Sequence, residues 1–115
     1  MSAECLFCRI VAGQIPASRV HEDDSVLAIR DISPQAPTHI LVLPKEHVAS
    51  AADLGPEHAP LVGRIFAVAA DLARSEALGE DGYRIVTNVG DHGGQSVDHL
   101  HFHLLGGRRF SWPPG

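Results

Sequence analysis

His99-Leu100-His101-Phe102-His103-Leu104-Leu105 alternates imidazole and apolar side chains without a break. In an extended strand, residues two apart share a face. His99, His101 and His103 therefore line one side of the strand, and Leu100, Phe102 and Leu104 line the other. The apolar row calls for a core beneath it. The histidine row must face water, a cleft or a ligand, and a merely solvated strand face would more commonly carry Lys, Glu or Thr. Two chemical readings remain. An H-x-H pair on a strand can ligate a metal. Alternatively, one imidazole acts as a nucleophile while its neighbours position it and manage protons. Three imidazoles this close titrate together, since protonating one discourages the next.

The loop just before this strand bears on the choice. Asn88-Val89-Gly90-Asp91-His92-Gly93-Gly94-Gln95-Ser96-Val97 supplies three glycines, two amide side chains and a hydroxyl. Backbone N–H groups in such a loop can surround an anion such as phosphate. Beside three co-facial histidines, that favours phosphoryl chemistry.

Further outward, the pattern predicts a short helical turn over residues 6–12, stopped at Gly13. A strand follows at residues 19–22, a second leads from Val26 towards Asp31 and Ile32, then come a proline-bearing loop at 33–38 and a strongly apolar strand at 39–43 ended by Pro44. Residues 60–78 carry the one long amphipathic helix, with Pro60 in its first turn and Gly79 placed to end it. Residues 83–88 and 99–105 are the last two strands. Short connections favour antiparallel pairing. The expected fold class is α+β: an antiparallel sheet of five strands, one long helix and a short N-terminal helix, in a single domain over residues 1–115.

The composition agrees with a soluble domain: 44% hydrophobic and 20% charged residues in a chain of 115. Fourteen acids against nine lysines and arginines give a formal charge of −5. That argues against a nucleic-acid partner or a polybasic membrane-surface protein. No apolar run is long enough to span a membrane, and the first residues lack the features of a secretory signal, so a cytoplasmic location is expected. The eight histidines are the unusual feature. His21, His58 and His92 fall in polar or turn contexts and read as solvated. Cys5 and Cys8 form a C-x-x-C, which in a reducing compartment reads as half a zinc site, a redox pair or two free thiols.

The strand resembles the H-φ-H-φ-H-φ-φ signature of the histidine-triad superfamily. Residues 31–39, Pro44-Lys45-Glu46-His47, Asn88-Val89-Gly90, Gly93-Gly94-Gln95-Ser96-Val97 and the terminal Trp112-Pro113-Pro114-Gly115 resemble its Hint branch of nucleoside phosphoramidases. The likeness runs in order over residues 5–115. It implies that His101 attacks the α-phosphorus of a purine nucleoside phosphoramidate, giving a nucleotidyl-histidine that water then hydrolyses. His103 and His39 would contact the phosphate and assist proton transfer. Ser96 and Asn88 would bond the phosphate and leaving group, with Gly94, Gln95 and Val97 completing the loop around them. Asp31 would take the ribose hydroxyls, and Phe7, Ile15, Ile32 and Leu41 would wall the base. Cys5, Cys8, His47 and His99 would hold a structural zinc; no organic cofactor is implied. A homodimer would bring Trp112 near the partner's active site. Asp98 stands where relatives often carry an aromatic residue, and parity turns it away from the histidine row.

Overall fold

The computed structural model describes residues 4–115. In chain order the elements are α1 (Leu6–Val11), β1 (Arg19–Glu22), β2 (Val26–Arg30), β3 (Thr38–Pro44), two single 3₁₀ turns, α2 (Ala59–Ser75), β4 (Tyr83–Val86) and β5 (Phe102–Gly106). The strands form one antiparallel sheet in the order β1-β2-β3-β5-β4. The α+β expectation holds.

All seven residues of β3 are buried because both faces of the central strand are covered. Ile40 and Val42 join Val26 and Ala28 of β2 and Phe102 and Leu104 of β5 beneath α2. The long helix contributes Ile65, Val68, Ala69, Leu72 and Ala73, the stripe that its helical spacing foretells. On the opposite face, Leu41 and Leu43 pack with Leu27 and Ile29 against Phe7 and Ile10 of α1. His39 and His103 share this second face, so the short helix and the imidazoles lie on the same side of the sheet.

Several boundaries differ from expectation: β4 ends at Val86 rather than at residue 88, and two other differences have a visible cause. The long helix stops at Ser75, before the predicted residue 78. Ala77 takes a left-handed φ of 59°, the Ala77 N–H reaches the Arg74 carbonyl at 3.1 Å and the Leu78 N–H reaches the Ala73 carbonyl at 2.8 Å. That paired closure ends the helix where Gly79 was expected to do so. Burial of Leu78 offsets the cost of a left-handed alanine.

The last strand joins the ladder at Phe102, not at residue 99. The Leu100 N–H instead donates to the Val48 carbonyl at 2.6 Å, and the Thr87 hydroxyl donates to the His101 carbonyl at 2.8 Å. The chain stays tied without sheet partners, and the alternation survives: Leu100 joins the core under α2, while the His99 and His101 rings meet Phe7.

Candidate active site

His101 is almost fully buried, and its Nδ1 lies 2.7 Å from the His99 carbonyl oxygen. A carbonyl only accepts, so Nδ1 must carry the proton. Nε2 is then left with a lone pair, which is what an imidazole needs to act as a nucleophile. The ring is fixed by edge-on contact with Phe7 (centroids 5.0 Å apart) and by His103 at 5.1 Å.

The neighbouring imidazoles form a directional chain. The Gln35 backbone N–H donates to His39 Nδ1 at 3.0 Å. That N–H cannot accept, so the His39 proton sits on Nε2. His39 Nε2–H therefore donates to His103 Nδ1 at 2.9 Å. By the same logic the His103 proton is on its own Nε2. Asp31 stands 3.5 Å from His39 Nε2, its backbone N–H donates to the His39 carbonyl, and its Oδ1 accepts from the Ser33 N–H at 2.8 Å.

Burial lowers the His103 pKa from 6.5 to about 4, helped by the nearby charges of His101 and His39 and opposed by Asp31. Burial also lowers His39, against the pull of Asp31. Both rings are thus held neutral in the folded chain, which agrees with the hydrogen-bond chain.

Stability should follow from this. Between about pH 6.5 and pH 4 the unfolded chain takes up protons that folded His103 refuses, so stability falls as pH drops through that window. The thermal midpoint should decline from pH 7 to pH 4.5 in wild type and less steeply in His103→Asn. Equal slopes for the two proteins would show that His103 does not supply the effect.

Asp31, His39 and His103 also lie close enough to suggest a metal site. The hydrogen bonds argue otherwise. A metal on His39 Nε2 would move the proton to Nδ1, where it would face the Gln35 N–H, a second donor.

The glycine loop shapes the rest. Gly90 and Gly94 adopt φ of 70° and 76°. A Cβ on Gly93 would collide with the Val89 carbonyl oxygen. The Gln95 amide is fully engaged with backbone groups: Oε1 accepts from the Gly90 N–H at 3.0 Å, and Nε2 donates to the Val97 carbonyl at 3.0 Å within the loop and to the Ala49 carbonyl at 2.8 Å outside it. Asn88 Nδ2 donates to the Gly93 carbonyl at 2.7 Å. Ser96 is exposed and, with Val97, lines an open cavity of about 400 Å³ that also touches Cys5, His47 and Asp98. Phe7, Ile15, Leu41 and Val97 share the apolar cluster on this face. Ile32 stands outside it, 98% exposed, and Trp112 is 82% exposed.

Behind His101 lies a second constellation. Cys5 Sγ is 3.3 Å and Cys8 Sγ 3.6 Å from His99 Nδ1, and Cys8 Sγ is 3.3 Å from His47 Nδ1. His99 Nε2–H donates to the Pro44 carbonyl at 2.8 Å, so the Nδ1 lone pair faces the sulfurs. A tetrahedral zinc with ordinary bond lengths separates its sulfur and nitrogen ligands by about 3.5 Å. The four side chains fit that ion.

Of the remaining histidines, His92 is exposed as expected. His21 and His58 are half-buried and engaged, unlike the solvated reading. His21 Nε2 meets Asp23 at 2.7 Å, and His58 Nδ1 accepts from the Gly55 N–H at 2.9 Å.

Comparison with known proteins follows the same lines. The family described as "Scavenger mRNA decapping enzyme C-term binding" matches residues 4–110. The chain is 49% identical over 108 residues to the purine nucleoside phosphoramidase of Escherichia coli strain K12, covering 94% of this chain and 91% of that protein. It is 49% identical over 112 residues to the 14 kDa zinc-binding protein of Zea mays, covering 96% and 87%. Among solved structures, a HIT family hydrolase from Legionella pneumophila superposes with a TM-score of 0.96 at 53% identity, covering 97% of this chain and all of that one. Among the described residues, no helix is long and apolar enough to cross a membrane.

Proposed function

This chain belongs to the histidine-triad family, and from that premise we propose that it is a nucleotide hydrolase acting on purine nucleoside phosphoramidates. The observation that carries the reading is the hydrogen bond from His101 Nδ1 to the His99 carbonyl, which leaves Nε2 with its lone pair. Nε2 attacks the α-phosphorus, and a new P–N bond to His101 forms as the bond to the amine breaks. The departing nitrogen takes a proton from solvent and leaves as an amine; the water that attacks in the second step gives a proton back. Water then attacks the nucleotidyl-histidine, releases the nucleoside monophosphate and restores the imidazole. One P–N bond replaces another, so the first step changes little in bond energy.

His103 Nε2–H and the backbone amides around Gly94 and Val97 offer neutral donors for charge on the phosphoryl oxygens, joined by Ser96 and Asn88. Such donors suit a chain whose net charge is −5. Asp31 takes the ribose hydroxyls with the carboxylate oxygen not bonded to Ser33. Phe7, Ile15 and Leu41 supply an apolar wall for the base, with Ile32 at its open rim.

Cys5, Cys8, His47 and His99 hold zinc in this reading. When bound, the ion supplies a structural cross-link with no open ligand position. The chain works as a homodimer, which would give cover to exposed Trp112, Phe66 and Tyr83; light scattering at the monomer mass would overturn that assignment.

The decisive experiment supplies adenosine 5′-phosphoramidate to purified protein and follows AMP release. Multiple turnovers are expected. Tight AMP binding without P–N cleavage would instead identify a nucleotide-binding module.

A further inference from the structure

We infer that Arg108, in the segment just after β5, is a positioning residue that sets the protonation pattern of His39 and His103. The inference rests on the functional reading above only for its kinetic consequence. Nε and Nη2 of Arg108 both donate to the Gln35 carbonyl, at 3.2 and 3.0 Å. Nη1 donates to the Arg109 carbonyl at 3.1 Å, and the guanidinium lies 4.3 Å from the centre of the Phe110 ring. The group is therefore held in place and presents a fixed two-pronged donor, a geometry that lysine cannot copy.

Gln35 is the residue whose N–H donates to His39 Nδ1. Arg108 thus holds by its carbonyl the residue that fixes His39 through its amide. A second observation ties the same two segments together. Gly107 has φ 91°, and a Cβ there would lie 2.8 Å from Cβ of Pro37. Only glycine lets residues 107–108 approach the loop before β3 this closely.

The consequence is electronic as well as structural. While the Gln35 N–H occupies His39 Nδ1, the proton order is set: His39 Nε2–H to His103 Nδ1, leaving Nε2–H on His103 as a donor. If Gln35 drifts, His39 can carry its proton on Nδ1 instead. The His39–His103 bond then reverses, and the His103 proton moves from Nε2 to Nδ1. His103 loses the N–H that the phosphoryl group would use. An exposed arginine thereby controls which nitrogen of a half-buried histidine is protonated, through three successive hydrogen bonds.

The test uses the full chain labelled with ¹⁵N-histidine. In wild type, long-range nitrogen–proton spectra at about pH 7 should show Nδ1 of His39 and His103 without hydrogen and Nε2 of both protonated. Arg108→Ala should give averaged nitrogen shifts at both rings. Arg108→Lys should lie between, and Arg64→Gln, which removes an exposed arginine paired with Asp23 across the fold, should match wild type. In the phosphoramidate assay, Arg108→Ala should lower kcat about tenfold with KM little changed, as expected for misplaced reacting groups. Wild-type nitrogen shifts in Arg108→Ala overturn the inference, even if kcat falls, because the residue would then only anchor the chain end. If Arg108→Ala does not fold, the shifts in Arg108→Lys decide the matter, and wild-type values there overturn it equally. Absence of turnover in wild type would refute the phosphoramidase reading while leaving the nitrogen shifts to judge Arg108.

Discussion

Replacing His101 by alanine is expected to lower kcat/KM for a purine nucleoside phosphoramidate by at least about four orders of magnitude, the scale seen when a covalent nucleophile is removed. The size of the effect follows from the neighbours' inability to substitute. His99 has Nε2 bonded to the Pro44 carbonyl and Nδ1 turned to the two sulfurs. His39 spends Nδ1 on the Gln35 N–H and carries its proton on Nε2. His103 spends its lone pair on His39. Among these four rings only His101 retains an uncommitted nitrogen lone pair, so no second imidazole can form the phosphorus–nitrogen bond without breaking its present contacts. The thermal midpoint of the variant should be compared with wild type, since His101 also packs on Phe7. A folded His101→Ala protein that keeps activity within about tenfold of wild type would sink the nucleophile assignment, a tenfold change being only about 1.4 kcal/mol of barrier. Acid-quenched wild type should also carry a nucleotidyl mass adduct that the variant lacks.

Most of the architecture was legible because it rests on periodicity. Alternation placed the imidazoles opposite Leu100, Phe102 and Leu104, and helical spacing identified the face of α2 that meets the sheet. What periodicity does not encode is which backbone group completes a hydrogen bond. Nothing in Ser33-Pro34-Gln35 signals that the Gln35 N–H meets His39, or that Arg108 holds the carbonyl of that residue. Nor does periodicity show that the Gln95 amide makes three backbone bonds, two within the glycine loop and one that ties the loop to Ala49. The end of α2 was misplaced because glycine is the usual left-handed stop, whereas here Ala77 adopts that conformation and buried Leu78 holds it there. Ile32, which the resemblance assigns to the wall around the base, follows Arg30 and Asp31 into a loop beyond the sheet's cover and is exposed. The roles given to Asp31, Ser96 and Asn88 came from family likeness, not from any pattern in their spacing.

Removal of zinc is expected to have the second large effect. Purified protein should carry about one zinc per chain, and a strong chelator should lower the thermal midpoint by on the order of 10 °C, about 2 kcal/mol in a chain of this size. The argument starts from α1. Six residues are too few for an independently stable helix. Its start is capped by the Cys5 sulfur, which accepts from the Cys8 N–H at 3.3 Å. The same two sulfurs reach His47, just after β3, and His99, leading into β5. An ion among them ties three distant parts of the chain together; without it, α1 keeps only the packing of Phe7 and Ile10 and a few hydrogen bonds. The loss should reach the chemistry as well. Phe7 lies between the two cysteines and packs edge-on against both His99 and His101, and the His99 carbonyl orients the His101 ring. Hydrogen exchange should therefore rise first in α1 after chelation, and turnover should fall before global unfolding. Cys8→Ser, which replaces the buried thiol of this group, should reproduce both effects. Protein isolated without zinc, whose midpoint and exchange do not respond to added zinc or chelator, would mean that the thiols and imidazoles hold α1 by packing and hydrogen bonds alone.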